Sequence, residues 1–535
     1  MITKTVRNLI NDNKDNDVAI TSDHAQTIVY SDLKEHIHNI SGQLSFKGLT
    51  NTDRAAIILP NGPEMATAFL AVSSYMSAAP LNPSYTFSEY EFYLNDLKPK
   101  IVIVEKNSSN PVVEAAKKLN IEICEIKKID GAPIGIFNLY DQQSNFKLPH
   151  EENEALVLHT SGTTSRPKVV PLTNKNIYSS AINISRTLKL TSNDHCFNIM
   201  PLFHIHGLIA ILSASIGAGA SVYASSGFNA LKFLDKAKSE NITWYSGVPT
   251  MHQAILMRAK RNLILAENLC LRFVRSSSAS LPPAVFDQLR DVFKSPVIEA
   301  YGMTEATHQM TSNPMPPMKQ KAGFVGKAAG PEVCIMDKNG NLLKNGLEGE
   351  VCIRGDNVTK GYENNDAANA TAFTNGWFRT ERILEIQKKS NIDFNLLDKI
   401  TVSRVTNTSE QINSIKNICT NNFSLIVIDN ITDLFSYEYN NDESIFEKNS
   451  LFMKYMHELS FYAITNKIPI VITNMIRNMG NKEVENMATA IDLFTHVKIH
   501  LFKNSSIFNG QIYSPFNKEY FSYTITELGL SDKIF

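Results

Sequence analysis

Hydroxyl-bearing residues, glycine and basic residues between positions 160 and 168 have the chemistry of a phosphate-binding loop. Gly162 lets the backbone approach an anion closely, and successive N–H groups of such a loop can surround it. The residues expected to bind phosphate are Thr160, Ser161, Gly162, Thr163, Thr164 and Lys168, with Arg166 as a second source of positive charge. The glycine spacing excludes a GxxxxGK[ST] loop, and a Ser/Thr-rich run by itself is most often an ordinary surface loop.

The full order of the loop, T-S-G-T-T-x-x-P-K, resembles the phosphate loop of the acyl-adenylate-forming enzymes. Further blocks follow in the order of that family, at residues 201–207, 299–308, 349–355, 359–362 and 376–378. The resemblance covers about residues 1–378 and implies the large α/β AMP-binding domain of these enzymes. Together the segments LHTSGTTSRPK, PLFHIHGL, RSSSASL and EAYGMTEATH resemble oxalate–CoA ligases rather than long-chain fatty-acid ligases.

This resemblance assigns roles around ATP. Residues 160–168 would bind the β- and γ-phosphates, and Thr304 would donate a hydrogen bond to phosphate. Glu305 would hold Mg²⁺, a hard cation that prefers oxygen ligands, although a solvated helix acid is the alternative. Tyr301 and Gly302 would line the adenine slot, with the tyrosine ring stacked on the base. The residues implied to be catalytic are Lys168, His204, Thr304 and Glu305.

The same resemblance implies a polar acyl pocket. His204 would lie at its mouth, whereas His206 has both a structural and a functional interpretation. Ser278 and His308 are the candidates for substrate specificity, because a small dicarboxylate keeps one charge after activation. Burying that charge requires hydrogen-bond donors or a cation. A helix-capping role is the alternative for His308.

Several features depart from the family pattern. Val169 follows Lys168 where the family usually has glycine, and a β-branched residue is strongly disfavoured there if φ is positive. The family sequence continues after Trp377 to an aspartate that binds the ribose hydroxyls, but Arg382 occupies that position. The hinge motif and the small domain with its catalytic lysine do not match either, since Lys533 lies in a different sequence.

Residues 379–535 instead resemble the second half of a RecA-type recombinase core in its archaeal, RadA-like form. The similar blocks lie in order at residues 378–383, 397–411, 425–429, 470–474 and 521–529. Any one of these blocks is also typical of an ordinary α/β strand. The unit would be incomplete, because its P-loop should lie upstream of a join at residues 378–380. DNA binding is not expected, since only Arg477 and Lys482 are basic in the stretch after Asn474.

Hydrophobic periodicity predicts an α/β fold in both parts. Apolar runs such as 54–59 and 101–104 alternate with amphipathic stretches such as 63–76, which favours β–α units and a mostly parallel sheet. Glycine and proline become scarce after about residue 380. The tail is predicted to contain buried strands at 425–429 and 468–473, a helix at 446–465, further strands at 497–502 and 520–526, and a disordered loop at 440–443.

Composition gives no reason to expect nucleic acid or a membrane as partner, because the net charge is −1 and the pI is about 6.9. The uncharged run 207–231 is crowded with glycine, serine and alanine, which favours a buried helix–turn–strand over a membrane span. Six scattered cysteines without a CxxC pair are typical of reduced thiols. With no signal peptide expected at the charged N-terminus, the predicted location is cytoplasmic.

The main functional hypothesis is an ATP-dependent acid–CoA ligase by descent, with ATP, Mg²⁺ and CoA as cofactors or co-substrates. A small dicarboxylate such as oxalate is the expected acid, and the departures at Arg382 and beyond predict weak or lost activity. The alternatives are a non-catalytic nucleotide-binding fusion protein and a recombinase-related DNA repair protein that works through the tail. The oligomeric state is not predicted.

Overall fold

The apolar runs of the first 380 residues form two mostly parallel sheets in the computed structural model of the protein. The structure describes residues 3–23, 26–160, 167–344, 349–380, 405, 407–420, 423–438, 445–474, 476–479, 482–485, 487–504, 507–514, 519–526 and 529–531. The chain divides into two units, Met1–Glu381 and Arg382–Phe535.

The strands of the first unit are β1 (Val18–Thr21), β2 (Ile28–Val29), β3 (Arg54–Ile58), β4 (Ser77–Pro80), β5 (Ile101–Val104), β6 (Glu122–Glu125), β7 (Lys127–Lys128), β8 (Phe137–Asn138), β9 (Glu154–His159), β10 (Val169–Thr173), β11 (His195–Asn198), β12 (Ser221–Ala224), β13 (Trp244–Gly247), β14 (Phe273–Ser276), β15 (Val297–Met303), β16 (His308–Ser312), β17 (Lys327–Ala328), β18 (Glu332–Met336), β19 (Glu350–Arg354), β20 (Phe373–Thr374) and β21 (Trp377–Arg379).

The helices of this unit are α1 (Asn8–Asn11), α2 (Tyr30–Phe46), α3 (Pro63–Ser73), α4 (Phe87–Leu97), α5 (Val112–Lys118), α6 (Asn174–Leu188), α7 (Ala214–Ile216), α8 (Phe233–Ser239), α9 (Pro249–Ala259), α10 (Leu263–Glu267), α11 (Pro283–Phe293) and α12 (Asp366–Ala372). A π-helix, His206–Ser213, precedes α7, and a 3₁₀ turn, Thr304–Ala306, follows β15.

A six-stranded sheet runs in the order β10-β9-β4-β3-β5-β6, and only β10 is antiparallel to its neighbour. Strand β5 reads Ile-Val-Ile-Val and is buried on both faces, as expected where helices cover both sides of a parallel sheet. Local signals start the helices: Pro63 occupies the first turn of α3, and Thr86 forms a capping box with Glu89 at the start of α4. The predicted β–α alternation and α/β fold are confirmed.

A nine-stranded sheet, in the order β17-β16-β15-β14-β13-β11-β12-β1-β2, carries the segments of greatest chemical interest. Strands β11, β13, β14 and β15 are parallel, so their carboxyl ends meet at one edge. The register pairs Ser246 of β13 with Arg275 of β14. Strand β15 then turns back through the 3₁₀ turn into antiparallel β16. Polar residues distant in sequence therefore lie side by side.

A four-stranded antiparallel sheet, β18-β19-β21-β20, completes the first unit. Glu350 of β19 and Arg379 of β21 form an ion pair whose atoms lie 2.5 Å apart, and both side chains are largely buried. This contact holds residues 377–379 in the first unit.

The second unit is described in separate segments. Its strands are β22 (Ile426–Ile428), β23 (Ile470–Ile472), β24 (Ile476–Met479), β25 (Lys482–Glu485), β26 (Lys498–Asn504), β27 (Ile507–Ser514), β28 (Glu519–Thr526) and β29 (Gly529–Ser531). Its helices are α13 (Thr408–Thr420), α14 (Asp433–Glu438), α15 (Ile445–Asn466) and α16 (Ala488–Phe494). Strands β22 and β23 are parallel, and the four-stranded sheet β26-β27-β28-β29 is antiparallel.

The predicted helix at 446–465 is confirmed by α15, and the predicted strands of the tail are present. The expectation that 425–429 and 468–473 are fully buried strands is wrong. Ile428 and Ile472 pack against the helices, whereas Val427 is 61% exposed and Val471 is 49% exposed. Successive side chains of a strand point to opposite faces, and the described helices cover one face of this pair. The predicted loop at 440–443 lies outside the described residues.

No helix within the described ranges combines the length and apolar content that crossing a bilayer requires.

A partly buried charge cluster at Arg54 offers a test of the first unit. Its guanidinium forms a bidentate pair with Glu154 of β9, with both N–O distances 2.7 Å, and a second ion pair with Glu363. Glu363 also donates its backbone N–H to the Val169 carbonyl at 3.0 Å. Arg54 therefore ties the segment around residue 363 to the six-stranded sheet.

We predict that Arg54→Met lowers the free energy of unfolding of this unit by about 2–4 kcal/mol, because two half-buried carboxylates lose their common cation. Tryptophan fluorescence in urea would measure it, since the two tryptophans, Trp244 and Trp377, both lie in the first unit. Lys127→Met, which breaks the exposed pair with Asp141, is the matched control and should cost less than about 1 kcal/mol. Equal effects of the two substitutions would contradict the prediction.

Candidate active site

Strands β9 and β10 form the hairpin that carries the predicted phosphate loop. The Thr160 N–H donates to the Lys168 carbonyl at 2.9 Å, and the Lys168 N–H donates to the Thr160 hydroxyl at 3.3 Å. These two bonds close the base of the loop. Ser161, Gly162, Thr163 and Thr164, and with them Arg166, lie outside the described residues.

Val169, the departure from the family's glycine, sits in β10 opposite His159 and is buried. Extended backbone suits a β-branched side chain, and Val169 does not have a positive φ. The strain that the sequence suggested at this position is therefore not found, and valine is compatible with the position that Lys168 takes.

Tyr362 links Lys168 to Glu305. The Lys168 ammonium lies 4.5 Å from the centre of the tyrosine ring, within the range of a cation–π interaction. The Tyr362 hydroxyl donates to Glu305 Oε1 at 2.8 Å, and both side chains are buried. The backbone supports the same arrangement, because the Thr359 N–H donates to the Glu305 carbonyl at 2.8 Å. A cation and a carboxylate separated by 137 residues are thus brought to one tyrosine.

The adenine-slot candidates lie on β15, where it leaves the nine-stranded sheet. Tyr301 and Gly302 are partly buried, and Thr304 opens the 3₁₀ turn that carries Glu305. A Cβ on Gly302 would fall 1.6 Å from the His308 carbonyl oxygen of β16. Only glycine permits this approach of two backbones, so the glycine has a structural reason beside any contact with a base.

The predicted acyl-pocket residues separate into exposed and buried groups. His204 and Ser278 are exposed, and Ser278 has a left-handed backbone with φ of 70°. His206 and His308 are buried, with ring centres 4.8 Å apart. His206 lies between two hydroxyls, with Nε2 2.7 Å from Ser246 Oγ and Nδ1 3.0 Å from Ser278 Oγ. His308 starts β16 with φ of 91° and does not cap a helix, so the helix-capping alternative is wrong.

A buried guanidinium determines the electrostatics of this pocket. Arg275 is fully buried, and its Nη1 lies 3.3 Å from Ser246 Oγ and 3.4 Å from His206 Nε2. Burial, reinforced by the positive charge of Arg275, holds the pKa values of His206 and His308 well below the ordinary value. Both imidazoles are therefore neutral at pH 7.

Sequence reasoning missed three residues of this arrangement. Tyr362 falls within a recognised block, but its role depends on contacts with Lys168 and Glu305. Arg275 falls within the RSSSASL segment, where an arginine before serines gives no sign of burial. Ser246 lies in an ordinary apolar strand, and only its register opposite Arg275 reveals it.

Among the described residues no group of three or more His, Cys, Asp or Glu side chains could hold a metal by itself. Glu305 nevertheless suits Mg²⁺ bound together with a nucleotide. This cation usually takes one or two protein carboxylates and completes its coordination with phosphate oxygens and water.

Comparisons with known proteins identify the family. The AMP-binding enzyme family matches residues 9–363. An oxalate–CoA ligase of Arabidopsis thaliana is 44% identical over 363 residues, which cover 66% of this chain and 70% of the relative. The chain belongs to the AMP-binding enzyme family. An oxalate–CoA ligase of Saccharomyces cerevisiae is 38% identical, covering 68% of this chain and 73% of the relative. The expectation of an acid–CoA ligase is confirmed over its alternatives.

Solved structures agree with this assignment. ATP-bound MatB from Rhodopseudomonas palustris superposes with a TM-score of 0.64 at 26% identity, covering 71% of this chain and 76% of that protein. A second family, Rad51, matches residues 357–500. This match agrees in part with the resemblance of the tail to a recombinase core, whereas its RadA-like character and the join at residues 378–380 stay predictions.

We predict that Gly302→Ala destabilises the first unit by about 3 kcal/mol or more, because β15 and β16 must separate to admit the methyl group. Gly48→Ala is the control: no atom lies within 4 Å of its added Cβ, and its left-handed φ of 79° should cost about 1 kcal/mol. Thermal unfolding followed by fluorescence would compare them. A Gly302→Ala protein as stable as Gly48→Ala would show that β15 and β16 do not approach in this way.

We predict that Tyr362→Phe weakens Mg²⁺-dependent ATP binding by about tenfold, since Glu305 loses a charge-assisted hydrogen bond while the ring beside Lys168 remains. Titration calorimetry with and without Mg²⁺ would measure the change. Tyr140→Phe, which removes a hydroxyl 3.0 Å from exposed Glu122, is the matched control and should leave binding unchanged. A loss that is equal without Mg²⁺ would contradict a role through Glu305.

Proposed function

We propose that this protein is, by descent, an ATP-dependent ligase that joins a small dicarboxylate, with oxalate as the expected acid on chemical grounds, to CoA. The contacts of Lys168 with the Tyr362 ring and of Glu305 with the Tyr362 hydroxyl carry the proposal, because they would bring a cation for phosphate and a carboxylate for Mg²⁺ together. Relatives named oxalate–CoA ligases at 38–44% identity support the acid and the thiol.

The reaction proposed has two transfers. An oxygen of the acid's carboxylate attacks the α-phosphorus of ATP, and the bond to the bridging oxygen breaks to release pyrophosphate. The CoA sulfur, after loss of its proton, then attacks the acyl carbon and expels AMP. Two anions must meet in the first transfer, so preorganised positive charge and donors lower the barrier.

Lys168 would neutralise phosphate charge as it develops, and the hydroxyl of Thr304 would donate to a phosphate oxygen. The hydroxyls and N–H groups at Thr160, Ser161, Gly162, Thr163 and Thr164 would add further donors. Glu305 would hold Mg²⁺, which draws charge from the phosphate oxygens when bound. Tyr301 and Gly302 would position the adenine.

The acid would bind with its reacting carboxylate at the phosphate and its free carboxylate near Ser278 and His308, with His204 at the mouth. Neutral donors from a hydroxyl and an imidazole suit an anion that must not be repelled, whereas an apolar acyl chain would gain nothing from them. The polar character of this pocket supports a small dicarboxylate over a fatty acid.

Two sequence features support weak or lost turnover. Arg382 stands where the family's aspartate accepts hydrogen bonds from the ribose hydroxyls, and arginine has no acceptor. The segment that should carry the catalytic lysine is replaced by sequence similar to Rad51. We propose DNA repair only as a lesser alternative for the tail, and the cytoplasm as the place of action.

The decisive experiment compares the protein with its Arg382→Asp variant. We expect Arg382→Asp to tighten ATP·Mg²⁺ binding about ten- to a hundredfold, since charge-assisted hydrogen bonds contribute about 1.5–3 kcal/mol. Oxalate-dependent pyrophosphate release should stay near background in both proteins, because loss of a charge-stabilising group commonly costs on the order of 10²–10³ in rate. Titration calorimetry and a pyrophosphate assay would measure these quantities.

Glu305→Gln is the negative control and should abolish the Mg²⁺ dependence of ATP binding. Failure of the unsubstituted protein to bind ATP at all would sink the proposed site. Turnover on the order of 1–10 per second would instead show that the tail supplies a substitute lysine.

A further inference from the structure

Arg275 is a buried cation whose described surroundings contain hydrogen-bonding groups but no paired acid. Its Nη1 faces Ser246 Oγ and His206 Nε2, and its Nη2 donates to Gln309 Oε1 at 3.2 Å. The described residues provide no ion pair for it, and its Nε is buried without a hydrogen-bond partner among them. Such a guanidinium can only donate, so it fixes the direction of the hydrogen bonds around it.

The direction follows atom by atom. Arg275 Nη1 donates to Ser246 Oγ, and His206 Nε2, 2.7 Å away, is the acceptor that the described residues offer to the single hydroxyl hydrogen of Ser246. Arg275 Nη1 also faces His206 Nε2 at 3.4 Å. A proton on Nε2 would therefore point at two donors, the Arg275 guanidinium and the Ser246 hydroxyl. Neutral His206 must therefore carry its proton on Nδ1.

The Nδ1–H of His206 then donates to Ser278 Oγ, 3.0 Å away. A hydroxyl that accepts this bond keeps its own hydrogen for another acceptor, and the Ser278 side chain is exposed. The left-handed backbone of Ser278, with φ of 70°, is the kind of strain that persists where surrounding structure fixes a residue. If these hydrogen bonds ran in the opposite direction, the hydroxyl hydrogen of Ser278 would point to His206 and would not be available to a ligand.

We propose that Arg275 and Ser246 are positioning residues that hold His206 in its Nδ1–H tautomer, so that the Ser278 hydroxyl is presented as a donor to the free carboxylate of the substrate. The inference rests on the proposed function for the identity of that carboxylate. The direction of the hydrogen bonds that link Arg275, Ser246, His206 and Ser278 depends only on contacts within the protein. A dicarboxylate benefits from this polarity, whereas a monocarboxylate such as acetate has no second carboxylate to receive the bond.

The first test reads the tautomer directly. Long-range ¹H–¹⁵N correlation spectra of the full chain with ¹⁵N-labelled histidine should show His206 protonated at Nδ1, with the signal assigned by its loss in His206→Asn. Ser246→Ala removes one of the two donors to Nε2 and should raise the population of the Nε2–H tautomer of His206, whereas Ser246→Thr should retain the original signal. An Nε2–H tautomer in the unsubstituted protein, or no change in Ser246→Ala, would overturn the proposal.

The second test reads specificity by titration calorimetry in the presence of ATP. Ser246→Ala should weaken oxalate binding about ten- to a hundredfold and leave acetate and ATP binding unchanged. Oxalate binding should be restored in Ser246→Thr. Arg275→Met should also weaken oxalate binding. If Arg275→Met does not fold, Ser246→Ala alone still tests the proposal. Ser295→Ala, a buried serine bonded to the Leu271 and Phe293 carbonyls, is the matched control and should bind oxalate normally.

Equal loss of oxalate and acetate binding in Ser246→Ala would also overturn the proposal, because it would indicate a general structural defect. If the unsubstituted protein binds ATP but no oxalate, the substrate named under the proposed function is wrong. The tautomer of His206 would still decide the direction of the hydrogen bonds from Arg275 to Ser278.

Discussion

Parallel pairing of β13, β14 and β15 in one register is the constraint on which the pocket depends. This register places Ser246 beside Arg275. Both residues lie near the edge of the sheet at which β15 turns back through Thr304 into β16. Parallel strands end together, so residues at their carboxyl ends are brought to one edge whatever their separation in the chain. The close approach of Gly302 to the His308 carbonyl then fixes β16, and with it the second imidazole.

Desolvation gives this edge its chemical character. Arg275 and the imidazoles of His206 and His308 are withdrawn from water, so each polar neighbour matters more than it would on the surface. Burial keeps both imidazoles neutral, and the guanidinium is left as the local charge. The positive charge of Arg275 is thereby kept away from solvent, among hydrogen-bonding neighbours.

The contacts around Tyr362 follow a different principle, in which one aromatic residue contacts two charged ones. The Tyr362 ring lies against the Lys168 ammonium, and its hydroxyl satisfies the Glu305 carboxylate. Arg54 supports the same region through Glu363, the next residue along the chain. These contacts lie within the first unit, whereas residues 357–500 match the Rad51 family.

The sequence by itself determined the family and the α/β class, because these depend on residue order and hydrophobic periodicity, and it predicted the position of a phosphate loop. It also located Glu305, Ser278 and His308 through the blocks that contain them. Only the tertiary structure decided what surrounds these residues. Val169 proved compatible with an extended strand, and His308 proved to start a strand rather than cap a helix. The parts played by Arg275, Ser246 and Tyr362 are set by strand register and burial, which bring together atoms from distant segments and which no local pattern encodes.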